Sequence, residues 1–100
     1  MIPIAKPWLS GNELKYLTEC IETNWISSQG RFVKQFEKDF SGYCGQTYGV
    51  ATSNGTTSLH LILSALDIKH GDEVIVPALT FIAPANTVKY CNAKPVFVDI

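Results

Sequence analysis

From Tyr48 onward the chain alternates short apolar runs with helix-patterned stretches: "YGVAT", a helix, "EVIVP", a second helix, then "KPVFVDI". A helix between two strands is too long for a hairpin and has to cross back over the sheet, so the alternation demands parallel strands in an α/β fold. Strands are therefore expected at residues 48–52, 73–77 and 94–100.

The first half of the chain follows a different period. Ser10 and Glu13 have capping-box spacing, and Leu14, Leu17 and Ile21 then recur at helical intervals, which predicts a helix over about residues 11–23. "NWISSQG" ends it. Val33, Phe36, Phe40 and Tyr43 mark one face of a second helix that Gly45 breaks, and that face is expected to pack against a neighbour.

Eight basic residues against nine acidic ones leave a formal net charge of -1, with no Lys/Arg run able to track a phosphate backbone. Neither nucleic acid nor an anionic membrane is expected as a partner. No stretch approaches the ~20 apolar residues of a membrane span, and "MIPIAKPWLSG" lacks a signal-peptide core, so a cytoplasmic protein is expected. Cys20, Cys44 and Cys91 are widely spaced in apolar contexts. They are expected to be reduced packing residues, with no disulfide framework and no metal site.

"VFVDI" has the composition of a buried parallel strand with an acid at its carboxyl edge, and no helix follows it by Ile100. Three parallel strands alone leave open edges and a bare face, so residues 1–100 are expected to be part of a larger domain.

The chemistry concentrates in Ala51–His60, "ATSNGTTSLH". Asn-Gly is a common hairpin signal, but Leu59, Ile62, Leu63 and Leu66 follow at helical spacing, so the turn leads from strand to helix. The first N–H groups of a helix lack partners and carry the positive end of its dipole. Gly55 permits close approach, and Thr56, Thr57 and Ser58 add hydroxyl donors. The cluster describes an anion cup, although any single hydroxyl there can simply cap the helix. It contains no GxxxxGK[ST] and no GxGxxG, which excludes the common nucleotide-phosphate loops. Asn54-Gly55-Thr56 matches a glycosylation sequon, which means little without a secretory signal.

After the second strand, Thr80, Phe81 and Asn86 fall at the same carboxyl edge, and the next helix begins at or before Pro84. An aromatic beside an anion cup can stack on a planar ring. Taken alone, such a phenylalanine is more often a core residue.

In this order and spacing, "NWISSQGRFVKQFEKDF", "SNGTTSLHLILSAL", "HGDEVIVPALTFIAPAN" and "AKPVFVDI" resemble the DegT/DnrJ/EryC1/StrS sugar aminotransferases, along the whole chain. The resemblance implies the N-terminal part of the large domain of a fold type I, aspartate-aminotransferase-like enzyme, with a mainly parallel sheet and helices on both faces. It implies pyridoxal 5′-phosphate (PLP) as cofactor, with the phosphate on Asn54, Gly55, Thr56 and Thr57 and the pyridine ring on Phe81. Trp25, Ser27, Ser28 and Thr80 are implied on the substrate side. The expected partners are L-glutamate, a nucleotide-linked keto sugar and a second copy of the chain.

Pro84 departs from the small polar residue usual in the family, and His60 and His70 match no functional position. No lysine here has the context of the Schiff-base lysine, which is expected beyond Ile100, so the chain is assigned no catalytic residue. Three functions compete: aminotransfer to C4 of a 4-keto-6-deoxy sugar, dehydration of such a sugar by family members with histidine in place of the lysine, and a non-enzymatic module that binds a phosphate-bearing ligand.

Overall fold

The computed structural model describes residues 2–3 and 5–100. They form two compact units, Met1–Ala51 and Thr52–Ile100.

In the first unit, α1 spans Glu13–Glu22 and α2 spans Arg31–Tyr43. α1 begins later than residue 11 because the expected capping box does not form. Asn12 is the N-cap without a side-chain bond, the Glu13 carboxylate accepts from Gly11 N–H at 2.9 Å, and the Ser10 hydroxyl accepts from the Trp8 indole N–H instead. Arg31 joins the helices through a 2.6 Å ion pair to Glu19, and its guanidinium lies 4.6 Å above the Phe32 ring, which in turn packs 5.0 Å from Tyr16.

The expected periods are present in both helices, but their apolar faces are not covered. Leu14 is 78% exposed, and Phe36, Phe40 and Tyr43 stack on one another along α2, 5.4 and 6.5 Å apart, without being buried. The packing expected of α2 is thus corrected. Among the described residues, α1 is the only helix this unit sets beside it, and one helix cannot cover so wide an aromatic stripe.

"YGVAT" is also corrected, because residues 48–52 form no strand and have no ladder partner among the described residues. One of its amides goes to α2 instead: Ala51 N–H donates to the Glu37 carboxylate at 2.9 Å. Gly49 lies so close to the same helix that a Cβ there would sit 2.7 Å from the Glu37 carbonyl oxygen.

The second unit runs α3 (Gly55–Ala65), β1 (Glu73–Pro77), α4 (Ala83–Tyr90) and β2 (Lys94–Val98). β1 and β2 pair in parallel, with Glu73 opposite Lys94 and Pro77 opposite Val98, and Ala78 N–H extends the ladder to Val98 O at 2.8 Å. Val76, Val88 and Ala93 form the buried core, with Leu63, Ile68 and Val74 against it. Pro84 stands in the first turn of α4, where the missing N–H costs no helical bond.

β2 is not the buried strand expected: Phe97 is 58% exposed. Phe97 pairs with the buried Val76 and so shares the core face of the sheet, but the described residues leave more than half of its side chain uncovered. Cys20 and Cys91 are half-buried as packing residues, whereas Cys44 is exposed at the C-cap of α2, so its packing role is also corrected. All three are free thiols, and among the described residues no cluster of His, Cys, Asp and Glu could hold a metal. Likewise among the described residues, no helix is long and apolar enough to cross a membrane.

Each helix from α1 to α4 ends in a left-handed residue: Asn24, Gly45, Asp67 or Asn92, with φ between 57° and 67°. At each end two N–H groups return to the last turn, as when Asn92 donates to Lys89 O at 2.9 Å and Ala93 to Val88 O at 3.1 Å. These bonds satisfy the carbonyls that a helix terminus leaves free. Of these residues, sequence reading identified Gly45 alone.

Candidate functional site

The turn before α3 is built by Asn54. Its extended backbone turns the chain into the helix, its Oδ1 accepts from Thr57 N–H at 3.0 Å, and Thr57 Oγ1 accepts from Asn54 N–H at 3.3 Å. The capping box missing from α1 is therefore present here, and it divides the cluster. The side chains of Asn54 and Thr57 are spent on each other, with Asn54 Nδ2 donating to Ser53 Oγ at 3.2 Å.

Ser58 N–H goes to Asn54 O at 3.1 Å. Among the described residues the N–H groups of Gly55 and Thr56 and the hydroxyl of Thr56 have no partner, so three donors face outward at the positive end of a helix. A Cβ built on Gly55 would meet no atom within 4 Å, so the approach to these amides is clear.

The donors open on a cleft of about 640 Å³. Gly55, Thr56 and Ser58 form one end, and the loop and helix start after β1 form the rest, from Thr80 and Phe81 to Pro84. Phe81 is 89% exposed and belongs to no core among the described residues. Leu59, Ile82, Ala83 and Pro84 continue the apolar wall; none of these was singled out as lining a site, although their place at a strand's carboxyl edge was the available signal. The cleft thus has a donor end and an apolar, aromatic end, and suits a ligand with an anionic group at one end and a flat ring at the other.

Of the remaining sequence-derived residues, Thr80 lines this cleft, whereas Trp25, Ser27 and Ser28 lie in the first unit, on the segment between α1 and α2. Trp25 N–H closes α1 on Cys20 O at 2.9 Å, Ser27 Oγ accepts from Gln29 N–H at 3.2 Å, and all three side chains are exposed. His60 packs edge-on to Tyr90 at 5.6 Å, and His70 is exposed before β1; neither lines the cleft.

A parallel βαβ unit with a donor-lined cleft at the carboxyl edge of its first strand defines the class, an α/β protein whose cleft opens on a helix N-terminus suited to an anionic group. The chain belongs to the DegT/DnrJ/EryC1/StrS aminotransferase family, whose model matches residues 7–100.

GDP-perosamine synthase of Caulobacter vibrioides is 58% identical over 98 residues, 98% of this chain and 26% of that protein. A Streptococcus pneumoniae protein described as a sugar aminotransferase, solved in its PLP form, matches at TM-score 0.89 and 34% identity, over 99% of this chain and 25% of its own. The GDP-4-keto-6-deoxy-D-mannose-3-dehydratase of E. coli, with bound hydrated PLP, matches at TM-score 0.83 and 30% identity, over 98% of this chain and 26% of its own. The chain thus spans about a quarter of the length of these relatives. The neighbours are fold type I enzymes, and the parallel α/β unit of this chain is part of that fold.

Proposed function

We propose that this chain holds the cofactor in a PLP-dependent enzyme that moves an amino group from L-glutamate to C4 of a nucleotide-linked 4-keto-6-deoxy sugar. The observation that carries the reading is the 58% identity, along nearly the whole chain, with a GDP-perosamine synthase. The chemistry of the cleft fits it.

The amides of Gly55 and Thr56 and the Thr56 hydroxyl take the phosphate as charge-assisted donors, while Asn54 and Thr57 keep the turn in shape. Phe81 lies against the ring, and Thr80 borders the same cleft. Trp25, Ser27 and Ser28 are assigned to the sugar substrate. When bound, PLP supplies the electron sink and carries the amino group between the two substrates. No lysine of this chain is given the covalent role. A homodimer, with both subunits completing each site, and a cytoplasmic location belong to the same proposal.

A second reading, dehydration of the same class of sugar, is favoured by the likeness to the E. coli dehydratase. One experiment separates them: the full-length protein is incubated with PLP, glutamate and a GDP-linked 4-keto-6-deoxy sugar, and the product is identified by mass spectrometry and NMR. A 4-amino sugar supports the aminotransferase, and a keto sugar lacking its C3 hydroxyl supports the dehydratase. A protein that neither binds PLP nor turns over the sugar overturns both.

A further inference from the structure

We propose that Thr52 and Ser58 are positioning residues of the phosphate turn, whose hydroxyls lock the Asn54–Gly55 peptide plane and so set the direction of the Gly55 N–H. The inference rests on the assignment of that N–H to the cofactor phosphate.

Four donor groups lie within hydrogen-bond reach of the carbonyl oxygen of Asn54. Ser58 N–H reaches it at 3.1 Å, the Thr57 hydroxyl at 2.8 Å, the Ser58 hydroxyl at 3.2 Å and the Thr52 hydroxyl at 3.1 Å. The Thr52 and Ser58 hydroxyls also lie within bonding distance of each other, and each has a single proton, so while one donates to its neighbour the other donates to the carbonyl, and they act on it as a pair. The first turn of a helix asks only for the Ser58 N–H at this oxygen. The three hydroxyls exceed what the helix needs.

Their effect passes through the peptide bond. The Asn54 carbonyl and the Gly55 N–H belong to one planar trans unit and point in opposite directions, so neither can turn without the other. Rotating the Gly55 N–H away from its present direction breaks several bonds at once on the carbonyl side. Donors on a carbonyl also polarise its peptide unit, which makes the N–H at the other end a stronger donor to an anion. Asn54 and Thr57 shape the turn through their own box, whereas Thr52 and Ser58 act on this one plane from outside it.

The test uses full-length apo protein titrated with PLP and, in parallel, with pyridoxal, which lacks the phosphate. In the double variant Thr52→Val/Ser58→Ala, affinity for PLP is expected to fall roughly tenfold, the scale of one charge-assisted hydrogen bond, with pyridoxal binding unchanged and the phosphorus NMR signal of bound PLP displaced. Thr52→Ser keeps the hydroxyl and is expected to preserve wild-type preference for PLP. Circular dichroism checks that each variant folds. Equal weakening of both ligands, or no change in either, overturns the positioning role. The underlying assignment fails separately, and takes this inference with it, if the wild-type protein binds PLP no better than pyridoxal and inorganic phosphate does not compete.

Discussion

Asn54 and Thr57 bond each other reciprocally at the start of α3, with Asn54 Oδ1 on Thr57 N–H at 3.0 Å and Thr57 Oγ1 on Asn54 N–H at 3.3 Å. This pair satisfies local amides and leaves those of Gly55 and Thr56 facing the cleft. Loss of an N-cap of this kind costs about 1 kcal/mol. Asn54→Ala is therefore expected to speed amide hydrogen exchange at Thr57 and Ser58 by roughly five- to tenfold, with Asn54→Asp close to wild type. Unchanged exchange in the alanine variant would show that the box contributes nothing.

Thr56 offers an unpartnered hydroxyl on the same cleft. Thr56→Val is expected to weaken PLP binding to the full-length apo protein about tenfold or more, since a hydrogen bond to a charged group contributes about 1.5–3 kcal/mol. Spectrophotometric titration gives the affinity, and wild-type binding would remove Thr56 from the site.

Phe81 is exposed, so its two possible roles predict different results. As a ring platform, Phe81→Ala lowers PLP affinity by the ~0.5–1.5 kcal/mol of an aromatic pair and shifts the visible absorbance, while the melting temperature moves little. A large fall in melting temperature with an unchanged spectrum would return Phe81 to the core.

Gly49 lies against α2, where a methyl group would meet the Glu37 carbonyl oxygen at 2.7 Å. Backbone cannot swing aside as a side chain does, so Gly49→Ala is expected to destabilise by about 1–3 kcal/mol. Gly42→Ala is the control, because nothing lies within 4 Å of its new methyl and alanine suits a helix. Denaturant unfolding of the two variants should differ, and equal stability would refute the close approach.

Lys94 stands opposite Glu73 across the parallel pair and bonds its carboxylate at 2.7 Å. That hydrogen bond first, and the opposite charge second, raise the lysine above its ordinary value of 10.5. A raised value means that the folded chain favours the protonated amine. The stabilisation is accordingly complete below pH 10.5 and disappears as pH climbs through the folded value. NMR titration of the Lys94 side chain should show the rise, and Glu73→Gln should abolish it. Identical curves for the two proteins would mean that the pair does not hold in solution.

What the sequence determined by itself was local. Helix periods, the stop at Gly45, the Asn54 turn and the order of helices and strands from Gly55 onward depend on residues within a few positions of one another. The left-handed ends at Asn24, Asp67 and Asn92 were within reach of the same reasoning, since Asn and Asp tolerate that conformation better than most residues.

The tertiary structure decided what depends on distant neighbours. Residues 48–52 have strand composition, but a strand exists only where another backbone offers a ladder, and here Glu37 takes the Ala51 amide instead. Phe81 has the composition of a core residue, but burial is set by what surrounds a side chain, and the chain leaves it on the wall of the cleft with Thr56. The convergence of Thr52, Thr57 and Ser58 on one carbonyl was equally hidden. A run of hydroxyls in a sequence shows how many donors there are, and only the folded backbone decides which acceptor they reach.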